Sequence, residues 1–399
     1  MSSATGSPAS ATHWPAVLAA CGCGVACAMN IGKVPPALPL LREQLGLTLV
    51  QAGWVSATLN TLAVFASRAI GLLTVRLGSL AMVFGGLLLG AAASLAGIGA
   101  DGFHALIASR FVEGAGFMAV AIATPALVSA AAGDDHRRFA LGMWSAYMPA
   151  GASLALALSP LLLPLGGWRA LWLASAVALL LAAALLWQQR GHYAGTAGST
   201  HARRLGPALA VLRQAVPWWL ALAFGMWAMQ HFALIVWLPT FLTEQRGLSP
   251  GPVALLTGAM LLANVPGNLI GGVLLQRGWP RGWLIAIGNL VAGLCAIGLF
   301  VDAWPDALRY ALAVTLSFAG GLIPSSILSS STSLARTPQQ VGVLQGVLMQ
   351  GSQLGQFVGT PLVAAVVGAA GTWSAARWVM AGAAGLGIVL GLLVVRGER

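Results

Sequence analysis

Four ionisable side chains fall inside otherwise apolar stretches of the chain: Lys33, Arg68, Arg110 and Glu113. Each costs about 2.5–3.5 kcal/mol to hold at mid-bilayer, so a charge retained there calls for a cavity, a partner or an interface. Lys33 is the single lysine, in NIGKVPPALP, just before Pro35 and Pro36. Those prolines have no N–H to give to the carbonyls of Ile31 and Gly32, so the helix is expected to open there. Asn30 lies one turn earlier on the same face. One reading makes Lys33 an anion-binding or proton-sensitive group facing a central cavity. The other carries its amine to the outer interface on a four-carbon stem.

Arg110 and Glu113 stand three residues apart in ASRFVEGAGF, close enough on a helix to pair. Glu113 is then either the carrier of a coupling proton, with Arg110 gripping substrate, or half of a structural ion pair. It is the only carboxylate within a span, and His231 is the alternative proton carrier because imidazole titrates near neutral pH. Gln230 and His231, in GMWAMQHFALIVW, fall opposite Asn30 and Lys33 if the chain repeats at an offset of about two hundred residues. The two sets would line one cavity, with Trp227 and Tyr147 as its stacking walls or as packing between helices. Arg68 is read either as a second anion contact or as an interfacial arginine reaching phosphates. The hydroxyls of SFAGGLIPSSILSSSTS either meet substrate or bond neighbouring backbone.

Something must hold these groups in place, and composition says what. The 399 residues are 58% hydrophobic and 7% charged, too apolar for a soluble protein of this size. At about 20 apolar residues per span, twelve spans are read: 15–40, 50–75, 79–100, 104–130, 139–164, 168–187, 216–242, 252–276, 282–301, 306–333, 340–368 and 373–395. The net charge of +11 comes from arginines between spans, which points to topology rather than nucleic acid. Twelve arginines fall on the side of the two termini and five on the other, so both termini are expected in the cytoplasm. No cleavable signal is expected before the first span. The four cysteines are too few and too deep for a disulfide framework; Cys23 and Cys27 share a helix face but are read as small hydrophobes, not metal ligands.

The polar interval 188–215 divides the chain into residues 1–187 and 216–399, six spans on each side. The halves echo one another. LPLLREQLGLT at 38–48 matches LPTFLTEQRGLS at 238–249, and GLLTVRLG at 71–78 matches GVLLQRG at 272–278. Repeated halves are a mark of secondary transporters, whose substrate sites lie between them near mid-membrane.

With these motifs in this order, the sequence resembles the major facilitator superfamily over essentially its whole length. Gly71-Leu72-Leu73-Thr74-Val75-Arg76-Leu77-Gly78 is similar to that family's Gly-x-Leu-x-Asp-Arg-x-Gly loop, with Val75 where the acid is expected. Gln276 stands before Arg277 in the second copy, again without an acid. The resemblance gives Gly71, Arg76, Gly78, Gly272 and Arg277 the part of the gating loops. ASRFVEGAGF and GGWRALW resemble the family's span-four and span-six stretches. It implies an all-α membrane fold of twelve transmembrane helices in two six-helix pseudo-repeats.

Span five, GMWSAYMPAGASLALALSPLL, lacks the Gly-Pro pair of drug/proton antiporters, which favours an uptake carrier. MQGSQLGQFVGTPL and the proline-rich exit of span one resemble the cyanate/nitroimidazole and nitrate-type branches. The expected function is proton-coupled uptake of a small anionic or carboxylate-bearing solute by alternating access, in a monomer in the bacterial inner membrane. The alternative is a proton-antiport exporter of drugs or metabolites. No catalytic set, metal spacing or phosphate loop is found, so neither enzymatic chemistry nor a cofactor is expected. The partners expected are the solute, the proton and membrane lipids.

Overall fold

The computed structural model describes residues 12–398 apart from 67–69, 71–72, 75, 134, 137–139, 142, 145, 194–209, 302 and 336–337. Arg68, Gly71 and most of the 188–215 interval therefore lie outside the described residues.

The described chain is helical. In the first half, α1 (Trp14–Gly32), α2 (Val34–Leu45), α3 (Leu49–Ala57) and α4 (Thr61–Phe65) are followed by α5 (Ser79–Ile98), α6 (Phe103–Ala131) and α7 (Tyr147–Gln188). The second half begins with α8 (Val216–Arg246), α9 (Pro250–Leu262), α10 (Asn264–Gln276) and α11 (Arg281–Leu299). It continues with α12 (Asp306–Gly320), α13 (Leu322–Leu328), α14 (Ser330–Leu334), α15 (Pro338–Ala370) and α16 (Ala376–Gly397). Ten helical stretches among the described residues are long and apolar enough to cross a membrane. The longest, α7, is two helices in series. Gly167 at φ 60 and ψ −153 breaks it in a conformation that favours glycine. This is where the fifth and sixth predicted spans part.

Prolines set the other breaks. Helical pairing is interrupted at Lys33, Ala263 and Gly321, each three residues before a proline (Pro36, Pro266, Pro324). A proline removes one N–H and crowds the carbonyl four residues back, so the helix opens just upstream. The opening expected beside Lys33 is thus present.

The sequence echoes have a backbone counterpart. Gly46 and Gly247 end α2 and α8 with φ of 63 and 61, and Gly78 and Gly278 follow their arginine loops with φ of 88 and 83. Glycine at C′ is the usual way to stop a helix in the left-handed region. Finding it at matched positions in both halves makes the repeat structural.

Small residues let the helices approach closely, as expected in lipid. Gly32 packs on the backbone of Ala152, Gly151 on the Val25 carbonyl, and Gly351 and Gly355 on Ala221 and Gly225. The two halves meet along α3–α4 and α15. Trp54 lies edge-on to Phe357 with centroids 5.3 Å apart, and Gln350 Nε2 donates to the Val64 carbonyl at 2.7 Å. At one end Arg42 of α2 pairs with Glu244 of α8, within the two echoed segments. Both side chains are about a third exposed (30% and 40%), so water competes for the pair. Arg42→Ala and Glu244→Ala are each expected to cost at most about 1 kcal/mol. Thermal melts in detergent measure it, and a larger loss would show a pair stronger than its exposure allows.

Candidate functional site

Three of the four predicted intramembrane charges form one cluster. Lys33, at the α1–α2 break, donates from Nζ to Glu113 Oε1 at 2.7 Å, Asn30 Oδ1 at 2.7 Å and Ser94 Oγ at 3.1 Å. The ammonium also lies 4.4 Å from the centre of the Trp172 ring. All three of its protons have acceptors, and the face of an indole adds a cation–π contact. The side chain is fully buried at 0% exposure. Lys33 therefore neither reaches the outer interface nor offers a free ammonium to a cavity.

Glu113 binds on both oxygens. Oε1 takes Lys33 and the Ser94 hydroxyl, the latter at 2.7 Å, while Oε2 takes Arg110 Nη1. The i, i+3 pairing of Arg110 and Glu113 predicted on one helix is present on α6. The guanidinium does more than pair. Its Nη1 donates to the Asn30 carbonyl at 2.9 Å and its Nε to the Val55 carbonyl at 3.1 Å. Asn30 lies just before the opening at Lys33. Val55 lies where α3 gives way to the 3-10 turn Thr58–Asn60. One side chain, Arg110, thus ties together the backbone beside two helix breaks through charge-assisted bonds.

Two cations and one carboxylate leave the cluster with one positive charge in an apolar surround. Ser94 and Trp172 were not among the predicted residues. Ser94 sits in an Ala/Gly/Leu-rich span with nothing in its neighbourhood to set it opposite residue 33. Trp172 falls in the GGWRALW stretch, whose resemblance says nothing of what its ring meets.

The second predicted set assembles elsewhere. Gln230 Nε2 donates to the Met226 carbonyl at 3.1 Å and to Asn289 Oδ1 on α11 at 3.3 Å. His231 Nε2 meets Ser317 Oγ on α12 at 2.9 Å and stacks on Trp227 with centroids 4.7 Å apart. Gln230 and His231 thus bond within the second half, and the structure does not bring them to Asn30 and Lys33. Trp227 is buried against Gly320, and Tyr147 stacks on Trp144 at 4.3 Å. Both rings pack between helices of their own half. Of the loop residues, Arg76 and Arg277 are exposed, Gly78 has its left-handed turn, and Gly272 has open space at its Cβ position.

Comparison with known proteins bears on the whole chain. A 3-(3-hydroxy-phenyl)propionate transporter of Escherichia coli is 28% identical over 334 residues, 80% of this chain and 82% of its own. A probable sulfoacetate transporter of Cupriavidus necator is 26% identical over 327 residues, 72% and 71% of the two chains. In fold, the chain superposes on crystal structures of a bacterial homolog of the human lysosomal transporter Spinster. The TM-scores are 0.82 and 0.79, at 15% identity and 96% coverage of both chains. The sequence profile of the Major Facilitator Superfamily matches residues 19–360 and again 241–399. The chain belongs to the Major Facilitator Superfamily.

Proposed function

We propose that this protein is a secondary transporter that takes up a small organic acid, bearing a carboxylate or sulfonate, together with a proton. The observation that carries this reading is the buried cluster, in which Glu113 alone balances Lys33 and Arg110. In a low-dielectric interior a single uncompensated positive charge acts over a long range and favours an anion nearby. Protonating Glu113 raises the charge of the cluster from one to two and displaces one of the donors that converge on its oxygens. The affinity for an anion then rises when the proton is bound, and a mobile anion becomes the cheapest counter-charge. Proton and anion are thereby held together, which is what symport requires of an alternating carrier. The two named relatives support the class: one is named for an aryl propionate and the other for sulfoacetate, both small organic acids. Cyanate and nitrate do not figure in those names, so the organic acid is put first.

In the same reading the halves 1–187 and 216–399 are the two rocking units, with 188–215 joining them. Twelve spans follow if α7 counts as two and the segment from α3 to the Arg76 loop as one. Both termini face the cytoplasm of a bacterial cell, on the side richer in arginine.

Proteoliposomes loaded with a pH-sensitive dye test the reading, with 3-(3-hydroxyphenyl)propionate and sulfoacetate as probes. Uptake of at least one acid is expected, with acidification of the lumen in step. Uptake with no proton entry would overturn the coupling, and transport of neither acid would overturn the substrate class.

A further inference from the structure

Buried polar groups are almost always hydrogen-bonded, so those without a partner at the meeting of the two halves are worth tracing. Asn60 is 0% exposed, and neither its Oδ1 nor its Nδ2 finds a hydrogen-bond partner. Ser56 Oγ, one turn earlier and 3% exposed at the residue level, has none either. On α15, Gln353 and Gln356 are 2% and 6% exposed, and each has an Oε1 without a donor.

The helices place these four residues at matching levels of one contact between the halves. Gly53 approaches Pro361, and Val64 is bonded by Gln350, so α3–α4 and α15 run antiparallel. The same number of residues separates the two positions on each strand of this pair. Asn60 is therefore level with Leu354 and Ser56 with Val358, each within two residues of Gln353 or Gln356.

Around α15 each face is accounted for. Gly351, Gly355 and Gly359 lie on α8; Gln350, Phe357 and Pro361 meet α3–α4; Leu354, Val358 and Leu362 are exposed. At 3.6 residues per turn the remaining face holds Gln353 and Gln356, opposite the exposed one, and it looks into the middle of the molecule. Along α3 and its 3-10 turn, Gly53 and Trp54 meet α15, while Val55 and Leu59 lie on α6. Ser56 and Asn60 take the side between them, again toward the middle.

We infer that Ser56, Asn60, Gln353 and Gln356 form a neutral hydrogen-bonding seat for the polar group of the transported solute, shared between the two halves. This rests on the organic-acid reading above and names what holds the acid. The Asn60 amide N–H and the Ser56 hydroxyl donate to a carboxylate or sulfonate without adding charge, the free Oε1 atoms of Gln353 and Gln356 accept from a hydroxyl elsewhere on the solute, and the ligand's own charge is left to the Arg110 cluster. That cluster lies behind the same turn of helix, since Arg110 bonds the Val55 carbonyl next to Ser56. A seat made of both halves can grip a ligand only where the halves close on it, which is the differential contact an alternating carrier needs.

The experiment is a pair of single variants, Asn60→Leu and Gln353→Leu. Each is measured for melting temperature without ligand and for binding of the two acid probes of the uptake assay. Replacing a buried amide whose oxygen has no donor with an apolar side chain of similar size removes a desolvation penalty. Both variants are therefore expected to melt at or above the wild-type temperature while binding the probe more than tenfold more weakly. Loss of stability in both, or undiminished probe binding in both, would overturn the seat. Wild-type protein that binds neither acid, beside variants more stable than it, would sink the organic-acid reading and leave the seat standing.

Discussion

Glu113→Ala is expected to destabilise the protein by about 3–5 kcal/mol, while Lys33→Met costs no more than about 1 kcal/mol. The asymmetry follows from charge. Removing Glu113 leaves Lys33 and Arg110, both buried, with no counter-ion, and Lys33 with only the neutral Asn30, Ser94 and Trp172 side chains around its ammonium. Removing Lys33 leaves a neutral Arg110–Glu113 pair that keeps its Ser94 bond and both carbonyl bonds. Methionine also fills the volume of the lysine stem beside Trp172, so no large cavity opens. Thermal melts in detergent with a ligand-free control decide the point. Equal losses for the two variants would mean that the ammonium is as necessary as the carboxylate, and the proposed role of Glu113 as the sole balancing charge would fall. For Lys33→Met, transport should fall much further than stability. The folded variant lacks the uncompensated positive charge and should take up the acid probes poorly.

Gly32→Leu is expected to cost about 3 kcal/mol and to lower the yield of folded protein sharply. A Cβ built on Gly32 would fall 2.3 Å from the Ala152 carbonyl oxygen and 2.6 Å from its Cα. Those are backbone atoms of α7, which cannot step aside as a side-chain tip would, so α1 and α7 must separate. Because Gly32 is the residue before Lys33, the displacement also pulls the ammonium from Glu113 and Ser94. Size-exclusion profiles and melts measure the first effect. Gly22→Leu on the same helix is the control, as nothing lies within 4 Å of a Cβ there, and it should behave as wild type. Comparable losses at both positions would show that α1 tolerates no bulk anywhere and that the Gly32 contact is not special.

Much of the architecture was legible in the sequence because the rules that govern it are local. Hydropathy places spans, proline opens helices upstream, and glycine stops them. The breaks at Lys33 and near Gly167 and the echoed segments were read in this way. The pairing of Arg110 with Glu113 was legible for the same reason, since three residues on a helix fix a shared face. What lies across helices was not. Nothing near Ser94 or Glu113 in the sequence names Lys33 as their partner, eighty residues away from Glu113, and the lysine was read as facing either cavity or lipid headgroups. The symmetric set of Asn30 and Lys33 with Gln230 and His231 followed from the repeat offset. An offset fixes matching positions, not matching rotations, and Gln230 turns to Asn289 instead. Asn60, Gln353 and Gln356 stand out less in the sequence than the charges do. A buried neutral amide is cheaper to insert than a charge, and its signal in composition is correspondingly faint.

The two carbonyls bound by Arg110 have a mechanical meaning. The interruptions at Lys33 and at Thr58–Asn60 fall in neighbouring helical segments of the first half. One planar, rigid guanidinium bonds the backbone beside both. Neither can flex alone without tearing a charge-assisted bond from the other. The pair works as a single joint with Arg110 as its pin, and a tilt of the first helix is geared to a tilt of the second.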